Sequence, residues 1–207
     1  MFITLEGPDG SGKTTQARLL AGHLREQGHR VLLTREPGGT AIGDRIREVL
    51  HDPANTAMQP VAEALLYSAA RAQLVEEVIR PHLAGGGVVV CDRYSDSTLA
   101  YQGYGRGLDL ETLHAIQRFA TGGLRPDLTL LLDLDADEGL RRRQTSGGEW
   151  NRMDQLAVEI HRRVRAGYLA LAALEPDRWV TLDAAGTVEE LQRRVRAVVG
   201  ERLGIGH

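Results

Sequence analysis

One stretch near the start of the chain has the residue types and spacing of a phosphate-binding loop. Gly7, Gly12, Lys13 and Thr14 follow the pattern Gly-x-x-x-x-Gly-Lys-Thr, between a predicted strand and a predicted helix. In such a loop, backbone N–H groups approach phosphate oxygens, the lysine reaches the β- and γ-phosphates, and the threonine hydroxyl binds Mg²⁺. The sequence therefore predicts a site for ATP and Mg²⁺. The residues predicted to bind the nucleotide are Gly7, Pro8, Asp9, Gly10, Ser11, Gly12, Lys13, Thr14 and Thr15.

A second pair with possible chemistry follows the apolar run 88–92. Asp92 ends this run and Arg93 comes directly after it. A carboxylate at a strand end beside a phosphate-binding loop can hold a metal ion or its water shell, and a guanidinium can bind a phosphate. We therefore expect Asp92 to join Thr14 as a metal ligand and Arg93 to contact a phosphate.

The elements that must position these residues alternate along the chain. Predicted strands are 2–6, 31–34, 88–92, 128–133 and 179–183, each a continuous apolar run of the kind found in parallel sheets. Predicted helices are 13–27, 41–50, 58–84, 95–120 with a break near 103–107, 136–144, 153–174 and 187–202. This order predicts an α/β fold with a doubly wound, five-stranded parallel sheet and helices on both faces. The length of 207 residues favours one domain, 1–207.

Composition restricts the classes of partner and location. A formal net charge of -3 provides no basic field for nucleic acid or anionic membrane. No apolar run reaches the roughly 18 to 20 residues that cross a bilayer, so we expect a cytoplasmic protein. Cys91, the only cysteine, excludes an internal disulfide, and its place in an apolar run predicts burial. A guanine-nucleotide switch is disfavoured, because its two further motifs have only look-alikes, in reversed order.

Four motifs together resemble the thymidylate kinase family of P-loop nucleoside-monophosphate kinases, in its bacterial form. They are EGPDGSGKTTQ (6–16), TREPGGT (34–40), LLYSAAR (65–71) and DRYSDSTLAYQG (92–103), and the similarity extends to DAAGTVEE (183–190). The resemblance implies a P-loop kinase fold with a short lid at about 141–153. It also implies phosphorylation of dTMP to dTDP, ATP and Mg²⁺ as cofactors, and a homodimer.

The resemblance assigns the base of dTMP to two helices. Tyr67 stands where the family usually has phenylalanine and would stack on thymine, and Arg71, one helical turn later, would donate to O4 of the base. Ser97 and Gln102 would contact the base as well. Tyr101 would pack beneath the sugar, where a ribose 2′-hydroxyl would collide.

Further residues resemble the family's acceptor-phosphate site. Arg93 would bind the phosphate of dTMP, and Arg35 lies in the matching loop. Glu36 would order Arg35 or lie near the metal, and Arg47 would reach the acceptor from the next helix. Asp9 would lie near the 3′-hydroxyl and the metal.

Catalysis by resemblance would use Lys13, Asp9, Arg93 and cations of the lid. Gly10 and Ser11 of the phosphate-binding loop are uncharged, so the lid is expected to supply the catalytic cation. Arg141, Arg142, Arg143 and Arg152 flank the lid, and we select Arg143 and Arg152 as catalytic candidates. The centre of the lid, QTSGGEWN (144–151), has no arginine, in contrast to members with arginine there, and which arginine acts stays open.

Two other functions share part of this pattern. Another P-loop nucleotide or nucleoside kinase would have the loop and the Asp92–Arg93 pair, but it would not be expected to combine Tyr67 and Arg71 with Tyr101. An ATPase coupled to a macromolecular partner would also have the loop. The acidic balance and the lack of a basic stripe disfavour this second alternative.

Overall fold

The sheet forms as predicted. A computed structural model describes residues 1–145 and 151–204. The strands are β1 (Phe2–Glu6), β2 (Val31–Arg35), β3 (Val88–Asp92), β4 (Leu128–Asp133) and β5 (Trp179–Asp183). They pair in parallel in the order β2-β3-β1-β4-β5. The predicted five-stranded parallel sheet is confirmed, and β2 extends one residue beyond its prediction.

Helices cover both faces, which explains the continuous apolar strands. The helices are α1 (Lys13–Glu26), α2 (Ala41–His51), α3 (Pro60–Leu74), α4 (Arg80–Ala84), α5 (Ser95–Thr98), α6 (Leu110–Ala120), α7 (Ala136–Thr145), α8 (Val158–Leu174) and α9 (Val188–Leu203). Ile3 of β1 packs in one cluster with Leu20 of α1. Phe2, on the other face of β1, packs with Leu74 of α3, and Cys91 is buried in the same cluster as predicted.

Three predicted helices differ from the structure. The helix expected over 58–84 is divided, because a π-helical segment (Val75–Ile79) separates α3 from α4. Pro81 has no N–H with which to continue the regular hydrogen-bond pattern there. The helix expected over 95–120 with a break near 103–107 consists of α5, a π-helical segment (Leu99–Gly105) and α6, so the predicted break is present, between Gly105 and Leu110.

For the third of these predictions, the helix over 153–174, the predicted start was too early. The region 153–174 becomes helical only at Val158. Before it, the side-chain oxygen of Asn151 accepts hydrogen bonds from the backbone N–H groups of Met153 and Asp154. This local turn takes the place of a helical start.

The parallel arrangement brings the functional loops to one edge. β1 lies between β3 and β4, so the loops after β1, β2 and β3 leave the carboxyl edge of the sheet side by side. Ligands of open α/β sheets bind in the crevice at this edge. Within residues 1–145 and 151–204, no helix combines the length and apolar character of a membrane span.

Candidate active site

The loop after β1 can be formed only with glycine at defined positions. Gly7 and Gly10 have φ values of 143° and 76°, a region that side chains disfavour. A Cβ at Gly7 would collide with the carbonyl oxygen of Leu132, and one at Gly10 with that of Gly139. The loop leads directly into α1, whose amino terminus carries the positive end of the helix dipole. The arrangement suits an anion.

Lys13 lies inside this loop and is 6% exposed. Its Nζ donates to the carbonyl oxygen of Pro8 at 2.7 Å and to Oγ of Ser11 at 3.3 Å. Burial and the charge of Arg93 lower the pKa of Lys13 to about 8, against the opposing effect of Asp9. These two protein partners are uncharged oxygens, which a charged phosphate could replace.

Two oxygen groups at the end of β3 and the start of α1 fit a magnesium ion. The hydroxyl of Thr14 donates to Oδ2 of Asp92 at 2.5 Å, and both residues line the same cavity. Mg²⁺ prefers oxygen ligands and usually combines one or two carboxylates with substrate phosphates and water. The predicted metal ligands are therefore brought together with suitable chemistry.

A cavity of about 490 Å³ extends from the loop to α3. The predicted site residues that line it are Asp9, Gly10, Gly12, Lys13, Thr14, Thr15, Arg35, Glu36, Arg47, Tyr67, Asp92, Arg93, Ser97, Tyr101, Gln102 and Arg143. The predicted residues that are not part of its lining are Gly7, Pro8, Ser11, Arg71 and Arg152. Most predicted positions therefore meet in one volume.

Arg93 occupies the centre of this volume. It is the one non-glycine residue of the described chain with positive φ, at 71°. Such a backbone costs of order 1–3 kcal/mol and is concentrated at functional sites. Its guanidinium donates to Oδ1 of Asp9 at 2.7 Å, to the hydroxyl of Tyr101 at 3.2 Å and to Oγ of Ser97 at 3.2 Å. The unusual backbone thus directs a cation toward several predicted site residues.

Asp9 is held as a carboxylate by these neighbours. Besides Arg93, the hydroxyl of Tyr101 donates to its Oδ2 at 2.7 Å, and Nδ1 of His161 lies 3.7 Å from the same oxygen. Burial alone would raise the pKa of Asp9, but the charges of Arg93 and Lys13 outweigh it and lower the pKa to about 2. Asp9 is therefore charged at neutral pH.

Beneath Arg93 lies a buried carboxyl group that the sequence analysis did not select. Glu6 ends β1 and accepts hydrogen bonds from the backbone N–H of Tyr94 and the hydroxyls of Ser97 and Tyr168. Burial and the charge of Asp96 raise the pKa of Glu6 to about 7. The available signal was a charged residue at the end of an apolar strand, directly before the loop.

Arg71 lies behind the cavity wall rather than on it. Its side chain is 1% exposed and forms a 2.5 Å ion pair with Glu36. The other acceptors are Oγ1 of Thr98, the side-chain oxygen of Gln117 and the carbonyl oxygen of Tyr94. The guanidinium thus makes four hydrogen bonds, and its Nη2 also lies in the ion pair with Glu36. Tyr67 lines the cavity, whereas Arg71 contacts two residues of the cavity wall, Glu36 and Thr98, from behind.

The two candidate lid arginines lie in different surroundings. Arg143 lines the cavity and donates to both carboxylate oxygens of Asp154, each at 3.1 Å. Arg152 is 6% exposed, forms a 2.6 Å ion pair with Glu63, and donates to the carbonyl oxygen of Leu50. The central part of the predicted lid, 146–150, lies outside the described residues.

Several cavity residues were not selected from the sequence. They are Pro37, His51, Thr98, Asn151, Met153 and Asp154. Burial and the charges of Arg47 and Arg93 lower the pKa of His51 to about 4, so this ring is neutral at pH 7. Nothing in the spacing of the histidines distinguished His51 from the others.

Comparison with known proteins gives consistent matches over nearly the whole chain. The sequence model of the family described as "Thymidylate kinase" matches residues 5–195. A thymidylate kinase of Roseiflexus sp. (strain RS-1) is 54% identical over 96% of this chain and 93% of the relative. One from Deinococcus radiodurans is 54% identical over 98% of this chain and 97% of the relative. The crystal structure of a thymidylate kinase from Ehrlichia chaffeensis superposes with a TM-score of 0.78, at 34% identity, covering 96% and 98% of the two chains.

Proposed function

Because the chain belongs to the thymidylate kinase family, we propose that its cavity transfers the γ-phosphoryl group of ATP to dTMP. The products are dTDP and ADP, and the protein is a nucleoside-monophosphate kinase. An oxygen of the dTMP phosphate attacks the γ-phosphorus while the bond to the β–γ bridging oxygen breaks. The acceptor is already anionic, so positioning and charge neutralisation dominate over proton transfer.

The donor side of the proposal is the phosphate-binding loop. Backbone N–H groups of the loop and the amino terminus of α1 hold the β- and γ-phosphates, and Lys13 exchanges its contacts with Pro8 and Ser11 for phosphate oxygens. Thr14 and Asp92 hold Mg²⁺ directly or through water. When bound, Mg²⁺ neutralises charge on the phosphates of ATP.

The acceptor side is organised by Arg93. Its guanidinium contacts the dTMP phosphate, with Arg35 and Arg47 as further cations on the cavity wall. In this proposal the carboxylate of Asp9 lies near the 3′-hydroxyl and the ring of Tyr101 lies beneath the sugar, and the hydrogen bond between the two residues supports this arrangement. Tyr67 stacks on thymine, while Ser97 and Gln102 face the edge of the base.

Of the two selected lid arginines, Arg143 is the better candidate for a cation at the transferred group. It lies on the cavity wall, whereas Arg152 is bound to a buried carboxylate behind it. A guanidinium beside the equatorial oxygens of the γ-phosphoryl group would stabilise charge in the transition state. Arg152 would instead hold the carboxyl-terminal edge of the lid against α2 and α3.

A homodimer is proposed from the outer surface of α2, α3 and α6. Large apolar side chains are exposed there, including Ile42 and Val49 of α2, Val61 and Leu65 of α3, and Phe119 of α6, which is 90% exposed. α3 packs against both α2 and α6, so these helices form one side of the molecule. Apolar surface of this kind is typical of a protein interface.

The observation that carries the proposal is a single cavity containing Lys13, Arg93 and Tyr67 together. The test is ADP release with ATP, Mg²⁺ and each of dTMP, dUMP, dCMP, UMP, AMP and GMP. We expect dTMP to give the highest kcat/KM. If another monophosphate were preferred, the chain would be a different nucleotide kinase. ATP consumption that dTMP does not accelerate would contradict the proposed reaction.

A further inference from the structure

A buried carboxylate on α3 connects the base end of the cavity with the lid. Glu63 lies one helical turn before Tyr67, and its side chain is completely buried. Its Oε1 accepts from Nε2 of Gln102 at 2.8 Å. Its Oε2 lies 2.9 Å from Nη2 of Arg106 and 2.6 Å from Nη2 of Arg152. None of the sequence motifs assigned a role to this residue.

Glu63 is ionised in these surroundings. Burial opposes the charge, but the hydrogen bonds from Arg106 and Gln102 outweigh it and lower the pKa of Glu63 below its usual value. An ionised carboxylate can only accept hydrogen bonds. Gln102 must therefore turn its NH₂ group toward Glu63, which leaves its carbonyl oxygen on the other arm of the amide.

The carbonyl oxygen of Gln102 is available to a ligand. Gln102 is 1% exposed, yet it lines the cavity. Among the residues that the structure describes, none donates a hydrogen bond to this oxygen. Arg71, another residue expected to contact the base, lies behind the cavity wall and makes four hydrogen bonds and an ion pair within the protein. The side-chain amide of Gln102 is thus a polar group of the base site whose orientation is fixed by a contact within the protein.

We propose that Glu63 is a positioning and specificity-determining residue, which fixes Gln102 as a hydrogen-bond acceptor for the base. Thymine and uracil carry a hydrogen on N3 and can donate to this oxygen. The N3 atom of neutral cytosine is an acceptor and would face it without a hydrogen. This inference rests on the proposed binding of the dTMP base beside Tyr67, and it adds the group that sets the polarity of the site.

The first test is Glu63→Gln, assayed with dTMP and dCMP. A glutamine at this position can accept from Gln102 or donate to it, so the amide of Gln102 is free to turn over. We expect the ratio of kcat/KM for dTMP to that for dCMP to fall by at least about tenfold, because a site with a fixed partner rejects the wrong base most strongly. The change should appear in KM for dTMP, with KM for ATP within about twofold of wild type.

Arg106→Gln is the matched control, because Arg106 shares Glu63 but its side chain is 20% exposed. It removes an ion pair to the same carboxylate and leaves a charged acceptor for Gln102. A purely structural role of Glu63 would make both variants lose activity alike, with an unchanged ratio of the two substrates. We expect Arg106→Gln to retain the wild-type ratio.

A double-mutant cycle isolates the pathway through Gln102. If Glu63 acts by orienting that amide, Glu63→Gln should produce no further change of the substrate ratio in a Gln102→Ala background. A ratio that Glu63→Gln leaves unchanged in the wild-type background, in correctly folded protein, would overturn the inference. If Glu63→Gln alone does not fold, Glu63→Gln/Arg106→Gln removes opposite charges together and is assayed in its place.

The outcome is separable from failure of the proposed function. If the wild-type enzyme prefers dTMP and Gln102→Ala lowers that preference, the base site is where it was proposed, and Glu63→Gln then decides the inference alone. If Gln102→Ala and Tyr67→Ala both leave KM for dTMP unchanged, the base binds elsewhere. The assignment of the cavity then fails first, and the inference fails with it.

Discussion

Replacing Lys13 with methionine is expected to abolish phosphoryl transfer and to change how the stability of the protein depends on pH. Without nucleotide, the folded protein holds the Lys13 proton only up to about pH 8, whereas an unperturbed lysine holds it to 10.5. This difference corresponds to about 3 kcal/mol, at 1.36 kcal/mol for each pH unit. The buried ammonium therefore lowers the stability of the nucleotide-free protein at neutral pH.

The sign follows from proton counting. Between pH 8 and 10.5 the unfolded chain binds the proton and the folded protein does not. The free energy of unfolding of the wild type therefore increases as pH rises through this range. Below pH 8 the cost of the charge is fully present. Methionine removes this cost and also the hydrogen bonds to Pro8 and Ser11, which contribute about 1 kcal/mol each. The variant should be more stable by about 1 kcal/mol at pH 7 and less stable than wild type near pH 10.

Urea unfolding followed by circular dichroism, at several pH values between 7 and 10 and without nucleotide, measures this difference. Arg18→Met on the exposed side of α1 is the control, because it removes a cation that is not buried. Its difference from wild type should not vary with pH. A difference between Lys13→Met and wild type that is equally independent of pH would refute the argument from burial. Substantial remaining kinase activity would refute the role of Lys13 itself.

Four further changes test other parts of the site and the proposed dimer interface. Arg143→Ala is expected to lower kcat with little change in stability. Arg152→Ala should instead lower the free energy of unfolding by about 3 kcal/mol, because a buried ion pair loses one partner. The reverse pattern in kinetics and urea unfolding would exchange the proposed roles of the two arginines. Arg71→Ala leaves Glu36 buried without its cation, and we expect a loss of about 3–5 kcal/mol in urea unfolding together with weaker dTMP turnover; a fully stable variant would contradict this. Leu65→Glu should convert the proposed homodimer to monomer in light scattering, and a wild type that is already monomeric would contradict the interface.

The sheet could be predicted from the sequence because its three central strands are buried on both faces. β1, β3 and β4 have continuous apolar runs, and burial on both faces leaves no polar alternation to obscure their ends. Helix ends were less accessible. The interruption at Val75–Ile79 and the turn made by the Asn151 side chain depend on single local contacts that periodicity does not register.

The site was predictable where a sequence motif fixes the backbone. It was less predictable where buried partners determine whether a side chain reaches the cavity. The loop around Lys13 was predicted from residue spacing, whereas Ser97, Tyr101 and Gln102 after β3 were assigned by resemblance, and most of these residues line one cavity. Arg71 and Arg152 have the residue type expected at a ligand, but each is bound to a buried carboxylate from a distant element. The spacing of residues along one helix could not reveal Glu36 or Glu63 as their partners.

Lys13 is the only lysine of the sequence, and its surroundings contrast with those of these arginines. Arg71 and Arg93 each join several acceptors through the planar, multiply donating guanidinium, an arrangement suited to holding elements in place. Among the residues that the structure describes, the hydrogen-bond acceptors of Lys13 are one carbonyl oxygen and one hydroxyl, within a loop too narrow for side chains at Gly7 and Gly10. A compact ammonium can exchange these two contacts for phosphate oxygens without disturbing the surrounding ion pairs. A guanidinium at this position would need more space and more acceptors than the loop provides, so the residue that must change partners during each cycle is the lysine.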